Sequence, residues 1–472
     1  MSTMNRRRFL RTTGAGLGLA LELGPPHWLG QPAAGQEAGA RPPRPPAGVA
    51  VINPRDRVPV SLIIDDSTCL VNLAHFCIPQ FHEVFPDQYP QPWRTLPREI
   101  PDAFVRRFGE WCGARGIKGK FSLIPHPACV GWLDRDLPGW SKQELRDSLE
   151  LVRTLLTPNW DIHPEMVSHT WVVDTRTGRP FPERTAAFME NWGWSERKSA
   201  DQLAEYMSYA LRILKNVGLT CEGITTPGGF GTRALPALAQ GTLQACREVF
   251  QAEIPHYFRH LYTDLRSVAP RVEYAAGLDG PDPKCVVSLI GCTGDWFGGW
   301  DGLSPGSVDQ FITADFRRGR LPEVIARGEP AIMVCHWPGL YFNGREVGFK
   351  IFQDVVQRLH DAHDNLVWMK LSEIARYWAA RELTRIERPR SGQLSFQAPF
   401  ACPQLTLKVE LDVETVSSPL TRVRISTDRS ETPLSPVAAL RQIKIGTFHR
   451  QNRTLVVCVD LPKGSSRLEM GQ

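Results

Sequence analysis

The stretch Val58-Pro59-Val60-Ser61-Leu62-Ile63-Ile64-Asp65-Asp66-Ser67 limits what this chain can fold into more than any other. It is apolar at both parities, so both of its faces are covered, as in the parallel strands of α/β proteins. Two carboxylates then stand at its end, where sheets and barrels of that class keep their active sites. An isolated Asp-Asp pair is an ordinary turn element. This pair gains weight from the metal-capable residues further along the chain.

From about 50 to 383, strand and helix candidates alternate. Strands are expected at 118–124, 285–290, 331–335 and 366–369, and helices at 100–116, 235–250, 348–360 and 371–380. Ser141 with Glu144 forms a capping-box signature ahead of Leu145, Leu149, Val152 and Leu156, which share one helical face. Another helix opens at Ser199 or Ala200, turns Leu203, Met207, Leu211 and Leu214 inward, and ends by Gly218. Seven or eight such units predict a closed or nearly closed barrel rather than a doubly wound sheet. No Gly-x-Gly-x-x-Gly follows a strand, which removes the dinucleotide reading. Beyond residue 390 the texture changes: 405–413 alternates strictly, and 422–425, 441–445 and 455–459 are shorter strand candidates. A small β-sandwich-like domain over 390–472 is expected.

The 472 residues leave room for one large domain and a smaller one. A formal charge of +5 is slight, and part of it sits in Arg6, Arg7, Arg8 and Arg11, so there is no basic face for nucleic acid. Those arginines precede a short, weakly apolar run, 12–21, and the segment 1–40 resembles a twin-arginine export signal with a small-residue cleavage site at Ala38-Gly39-Ala40. A Pro-rich linker, 41–49, comes next. The expectation is a chain exported by the twin-arginine machinery to the periplasm or beyond, without stable membrane insertion. The 11 cysteines contain no Cys-x-x-Cys pair and read mainly as small buried residues.

The second landmark is Trp160-Asp161-Ile162-His163-Pro164-Glu165-Met166-Val167-Ser168-His169-Thr170. His163, Glu165 and His169 are metal-capable and close together, and Asp65-Asp66 supplies carboxylates from another strand end. Imidazole and carboxylate ligands with one open position suit zinc and similar ions.

With these residues the sequence resembles the polysaccharide deacetylase family, metal-dependent carbohydrate esterases with a deformed (β/α)7-8 barrel. Ile63-Ile64-Asp65-Asp66-Ser67 resembles its first motif and 161–169 its second. Asp295-Trp296 resembles the fourth, and Val334-Cys335-His336 the fifth. The closing strand and helix resemble 366–374, and the likeness covers roughly 55–380 in preserved order. The resemblance implies Asp65 as general base, Asp66 and His169 as metal ligands, and His336 as general acid. Asp295 and Trp296 would orient that acid and wall the pocket.

The third ligand stays open between His163 and Glu165. Glu165 and His169, four apart, would share a face over one helical turn. His163 and His169, six apart, would stand about 20 Å apart on a strand, unless Pro164 bends the chain. The imidazole pair habitual in the family favours His163. The family's third-motif Arg is missing: residues 223–229 read Gly-Ile-Thr-Thr-Pro-Gly-Gly, leaving Thr226, Arg233 or Arg259 to stand in. Pro227, Thr226, Trp296 and His126 are candidate substrate contacts.

The function expected is removal of N- or O-acyl groups from a carbohydrate or other acylated small molecule, with a divalent cation, Zn2+ first among the candidates. Two alternatives stand beside it: hydrolysis of another C–N or glycosidic bond on the same barrel, and a catalytically silent glycan-binding protein.

Overall fold

The structure is a computed structural model that describes residues 41–411 and 422–471. The export-signal reading of 1–40, and residues 412–413 of the strand expected at 405–413, lie outside the described residues. Among the described residues no helix is long and apolar enough to cross a membrane.

The chain enters through β1 (Val49–Ile52), and the α/β region follows. Its strands are β2 (Val58–Asp65), β3 (Gly119–Ser122), β4 (Trp160–His163), the hairpin β5 (Val173–Asp174) and β6 (Arg179–Pro180), β7 (Gly223–Thr225), β8 (His256–Leu261), β9 (Arg271–Ala276), β10 (Lys284–Gly291), β11 (Ala331–His336) and β12 (Leu366–Trp368). Every residue of β2 is buried, as its unbroken apolar pattern requires. One sheet runs β11-β2-β3-β4, with β12 also on β2, and all its pairings are parallel. A second runs β7-β8-β10-β9, parallel except for β9.

A closed or nearly closed barrel was expected, and the hydrogen bonding shows no closure among the described residues. The two sheets meet at one seam through a single parallel bridge, Glu165 to Thr225. At the other seam the Cys292 N–H reaches the Ile332 carbonyl at 2.8 Å. No ladder closes either seam among the described residues. The seam beside Glu165 opens because the chain leaves β4 at Pro164, which has no N–H to donate, and enters an irregular loop.

The helices are α1 (Leu73–Val84), α2 (Asp102–Gly113), α3 (Lys142–Leu151), α4 (Ala200–Asn216), α5 (Leu235–Phe250), the short α6 (Val308–Phe311), α7 (Arg320–Ala326) and α8 (Trp337–Tyr341), then α9 (Val347–Ala362) and α10 (Leu371–Leu383). Both halves of the capping box at Ser141 and Glu144 are made, and Ser199 with Gln202 makes a second at the start of α4. All 11 cysteines are free, and every one except Cys129 is buried.

The remaining strands are β13 (Arg385–Arg390), β14 (Gln393–Ala398), β15 (Cys402–Glu410), β16 (Arg422–Ser426), β17 (Glu431–Pro433), β18 (Ser435–Pro436), β19 (Thr447–Gln451), β20 (Thr454–Leu461) and β21 (Gly464–Gly471). They form two sheets, β1-β15-β20-β19-β18 and β13-β14-β21-β16-β17. Leu394, Phe396, Leu405, Leu407, Val457 and Leu468 share one buried cluster with residues of α10. One pairing is unforeseen and one expectation is corrected. The strand β1, at the linker boundary, pairs antiparallel with β15 and so completes a sheet of the C-terminal region. Residues 441–445 are no strand: Leu440–Gln442 is a 3-10 turn, and of the alternating pair Ile443 is buried while Ile445 is 46% exposed.

Candidate active site and metal centre

At the carboxyl end of β2 the strand stops at Asp65. Asp66 follows with φ +56°, a left-handed conformation that a non-glycine residue holds only when its surroundings impose it. This turn lets two successive side chains work on one side of the sheet, where a continuing strand would point them apart. His169 and Met166 also have positive φ, +66° and +55°. Unusual backbone therefore clusters where the side chains converge.

Asp66, Glu165 and His169 are all buried and offer donor atoms within 4.8 Å of one another. His169 Nε2 lies 2.8 Å from Asp66 Oδ1 and 3.5 Å from Glu165 Oε1. The Asp66 amide donates to Glu165 Oε2 at 3.0 Å. Burial disfavours a charged His169, but the Asp66 charge and hydrogen bond, joined by hydrogen bonds to Cys77 and Glu165, together raise the imidazole well above its ordinary value. Burial likewise pushes Glu165 up, and the His169 hydrogen bond and charge more than reverse it. Asp66 Oδ1 has no well-aligned hydrogen-bond partner. Two buried carboxylates and one imidazole, with one carboxylate oxygen lacking a well-aligned donor, form a donor set that fits a divalent cation.

His163 does not reach this cluster. Its ring is fully buried, and its Nε2 faces His256 Nε2 at 3.0 Å. Glu165 and His169 come together through the irregular loop after Pro164 rather than over a helical turn.

Asp65 is met by Lys120, a fully buried residue of β3. Its ammonium donates to Asp65 Oδ1 at 2.5 Å, to Ser122 Oγ at 2.7 Å and to the Ile64 carbonyl at 3.1 Å, which uses all three protons. Burial raises Asp65 to about 6, against the downward pull of the Lys120 charge. The residues expected to replace the missing Arg are engaged elsewhere: Thr226 Oγ1 donates to the Phe258 carbonyl, Arg233 pairs with Glu196, and Arg259 binds the Thr232 hydroxyl. Sequence reasoning misses Lys120 because a single Lys in a short strand reads as an exposed residue. The available signal is its place between Gly119 and Phe121 in a strand flanked by buried ones.

His336 ends β11, paired in register with Asp65 on the neighbouring strand. Its Nδ1 sits 2.8 Å from Asp295 Oδ2. Burial works against the imidazolium, but the Asp66 charge and the Asp295 hydrogen bond raise His336 to about 10. Trp296 lies edge-on to Phe311 at 5.2 Å. Pro227 is buried, and Gly228, at φ +44°, turns against Asn191, whose carbonyl a Cβ would meet at 2.7 Å. His126 stacks on Trp132 with ring centres 3.8 Å apart, and its Nδ1 contacts the Gly131 carbonyl.

Two more features escape a reading of the sequence. Glu190 accepts from the amides of Val167, Ser168 and His169, at 3.1, 3.0 and 2.6 Å, and from the Tyr206 hydroxyl at 2.5 Å. It is a positioning residue that shapes the 166–169 loop. On the outer side Phe81 lies 6.4 Å from His169, ringed by Tyr89, Trp192 and Trp300.

No family model and no curated protein matches this chain. Among solved structures it is similar to a protein of Parabacteroides distasonis named as a "putative glycoside hydrolase/deacetylase", at 11% identity and TM-score 0.38, covering 76% of this chain and 82% of that one. The catalytic domain of GH30 xylanase C from Talaromyces cellulolyticus aligns at 9% identity and TM-score 0.24, over 90% of this chain and 100% of that one. The glycoside hydrolase family 30 xylanase Xyn30A from Clostridium acetobutylicum aligns at 8% and 0.27, over 90% and 98%. All three TM-scores fall below 0.5.

Proposed function

We propose that this chain is a metal-dependent hydrolase that removes acyl groups from a carbohydrate. One observation carries the reading. A carboxylate–carboxylate–imidazole cluster, a Lys-paired aspartate and an Asp-paired histidine stand together at adjacent strand ends. Asp66, Glu165 and His169 would hold the ion. Bound there, a divalent cation would supply an acidified water and a charge to polarise the acyl oxygen.

The chain's own residues do the rest. Asp65, held in place by Lys120, takes a proton as the carbonyl is attacked. His336, its Nδ1 fixed by Asp295, presents Nε2 and gives a proton to the departing amine or alkoxide. The aromatic group around Phe81 offers apolar faces suited to sugar rings. The N-terminal twin-arginine pattern supports placing this activity in the periplasm or outside the cell. The silent-binder alternative rests on the missing Arg, and Lys120 takes away its motive.

Metal analysis of the purified chain, paired with acetate release from acetylated oligosaccharides, tests the reading. Chelation is expected to abolish release and zinc to restore it, while Asp66→Ala and His169→Ala each lose the ion held at this centre. Undiminished acetate release from metal-stripped protein would overturn the proposal. A narrower expectation concerns the loop: Glu190→Gln keeps the side-chain shape but halves its acceptors. Zinc affinity, read by competition with a chromogenic chelator, should fall about 10-fold or more in a chain that still folds.

A further inference from the structure

The polar lining continues below the proposed centre. His163 ends β4, two residues before Glu165 and on one face of that strand, and His256 opens β8. Both rings are fully buried, and their Nε2 atoms are 3.0 Å apart. Asp161, again on that face, brings a carboxylate oxygen within 4.8 Å of both.

Proton accounting singles this pair out. His256 Nδ1 faces the Ile254 carbonyl at 3.4 Å, and a carbonyl only accepts, so Nδ1 carries the proton. His163 hydrogen-bonds the backbone of Ile224; with Nε2 turned to His256 that bond falls to Nδ1, which also lies 3.4 Å from the Thr225 hydroxyl. Each neutral ring then turns an Nε2 lone pair toward the other. Two lone pairs in contact repel, and a cation between them removes the repulsion. Imidazoles that bind metals through one nitrogen while the other donates to a backbone carbonyl show this same arrangement.

The space around the pair agrees. Gly223 of β7 lies beside both rings, and a Cβ there would stand 2.6 Å from His256 Nε2 and 2.7 Å from His163 Nε2. Glycine is thus required by space, since Gly223 has no positive φ. Two nitrogens bound at about 2.0–2.1 Å to a tetrahedral ion stand about 3.3 Å apart. The rings need move only a few tenths of an ångström. A cleft of about 360 Å³, lined by Asp161, Glu222, Lys370 and Ser372 among others, reaches the site's carboxylate. The Asp161 oxygens accept from Ser372 Oγ at 2.9 Å and Ser372 N at 2.7 Å, which aims the carboxylate and leaves lone pairs for a ligand.

We propose that His163, His256 and Asp161 form a second cation site of the zinc class, which ties β4 to β8 beneath the proposed catalytic centre. The site is independent of the proposed hydrolase function. The test uses the full chain, stripped with chelator and dialysed against Zn2+, or against Co2+ for its visible absorption. An Asp66→Asn/His169→Gln chain, shown to be folded by its cooperative melt, is expected to keep one ion per chain. Adding His256→Gln should remove it. A folded Asp66→Asn/His169→Gln chain that takes up no ion overturns the proposal, and this result does not depend on whether His256→Gln folds. A wild-type chain with a single ion that survives Asp66→Asn/His169→Gln and disappears with His256→Gln would support this site while sinking the proposed catalytic one.

Discussion

Lys120→Met is expected to lower unfolding free energy by about 3–5 kcal/mol at neutral pH, read from urea midpoints at unchanged slope. The size follows from burial. The ammonium is wholly excluded from water, and its three protons go to Asp65, Ser122 and Ile64. Removing it strands a carboxylate that burial already penalises, in addition to a hydroxyl and a carbonyl left without their donor. Lys120→Arg should fare little better, because a planar guanidinium needs more room than a fully buried ammonium slot supplies. The informative partner is Lys120→Met/Asp65→Leu. If the loss comes from an uncompensated charge, the double variant recovers much of it, since an apolar pair in place of a buried ion pair is often neutral. A single Lys120→Met chain within about 1 kcal/mol of the parent would show that Asp65 has another partner.

The same residue shows where sequence reading stops. Strands such as β2 and β11 are legible because burial on both faces leaves an unbroken apolar run. The helices with capping boxes are legible because their signals are local. Lys120 is not, because its partner Asp65 comes from a strand 55 residues earlier, and nothing near Lys120 announces an anion. Glu190 is equally hidden: its acceptors serve amides some 21 to 23 residues away, and backbone donors leave no trace in composition. The choice between His163 and Glu165 turns on which way the chain bends after Pro164. That bend depends on left-handed Met166 and His169, residues whose types give no hint of positive φ. The strands β8 and β9 escape because His256, Arg259, His260 and Arg271 break the apolar pattern. Closure fails for a related reason, since a seam is decided by a few long-range pairings rather than by any strand's own residues.

Asp65→Asn is expected to retain the metal and lose turnover by a factor of about 10²–10⁴, the usual worth of a positioned base. Asparagine keeps the shape and offers Lys120 an oxygen, but it cannot take a proton at neutral pH. The ion should stay because its proposed ligands are Asp66, Glu165 and His169, and the turn at Asp66 separates their work from that of Asp65. Lys120 is left without a counter-charge, so the variant should also melt lower, and rates must be compared well below its midpoint. A companion change tells base from acid. His336→Gln leaves Asp65 and Lys120 in place but removes the proton donor that Asp295 orients. Aryl esters, whose leaving groups need little protonation, should recover most of their rate in His336→Gln and none in Asp65→Asn. If both variants recover equally, the two side chains do not divide the proton transfers as proposed. If Asp65→Asn turns over at the parent rate with its metal in place, Asp65 is not the base, and Lys120 holds it for structure alone.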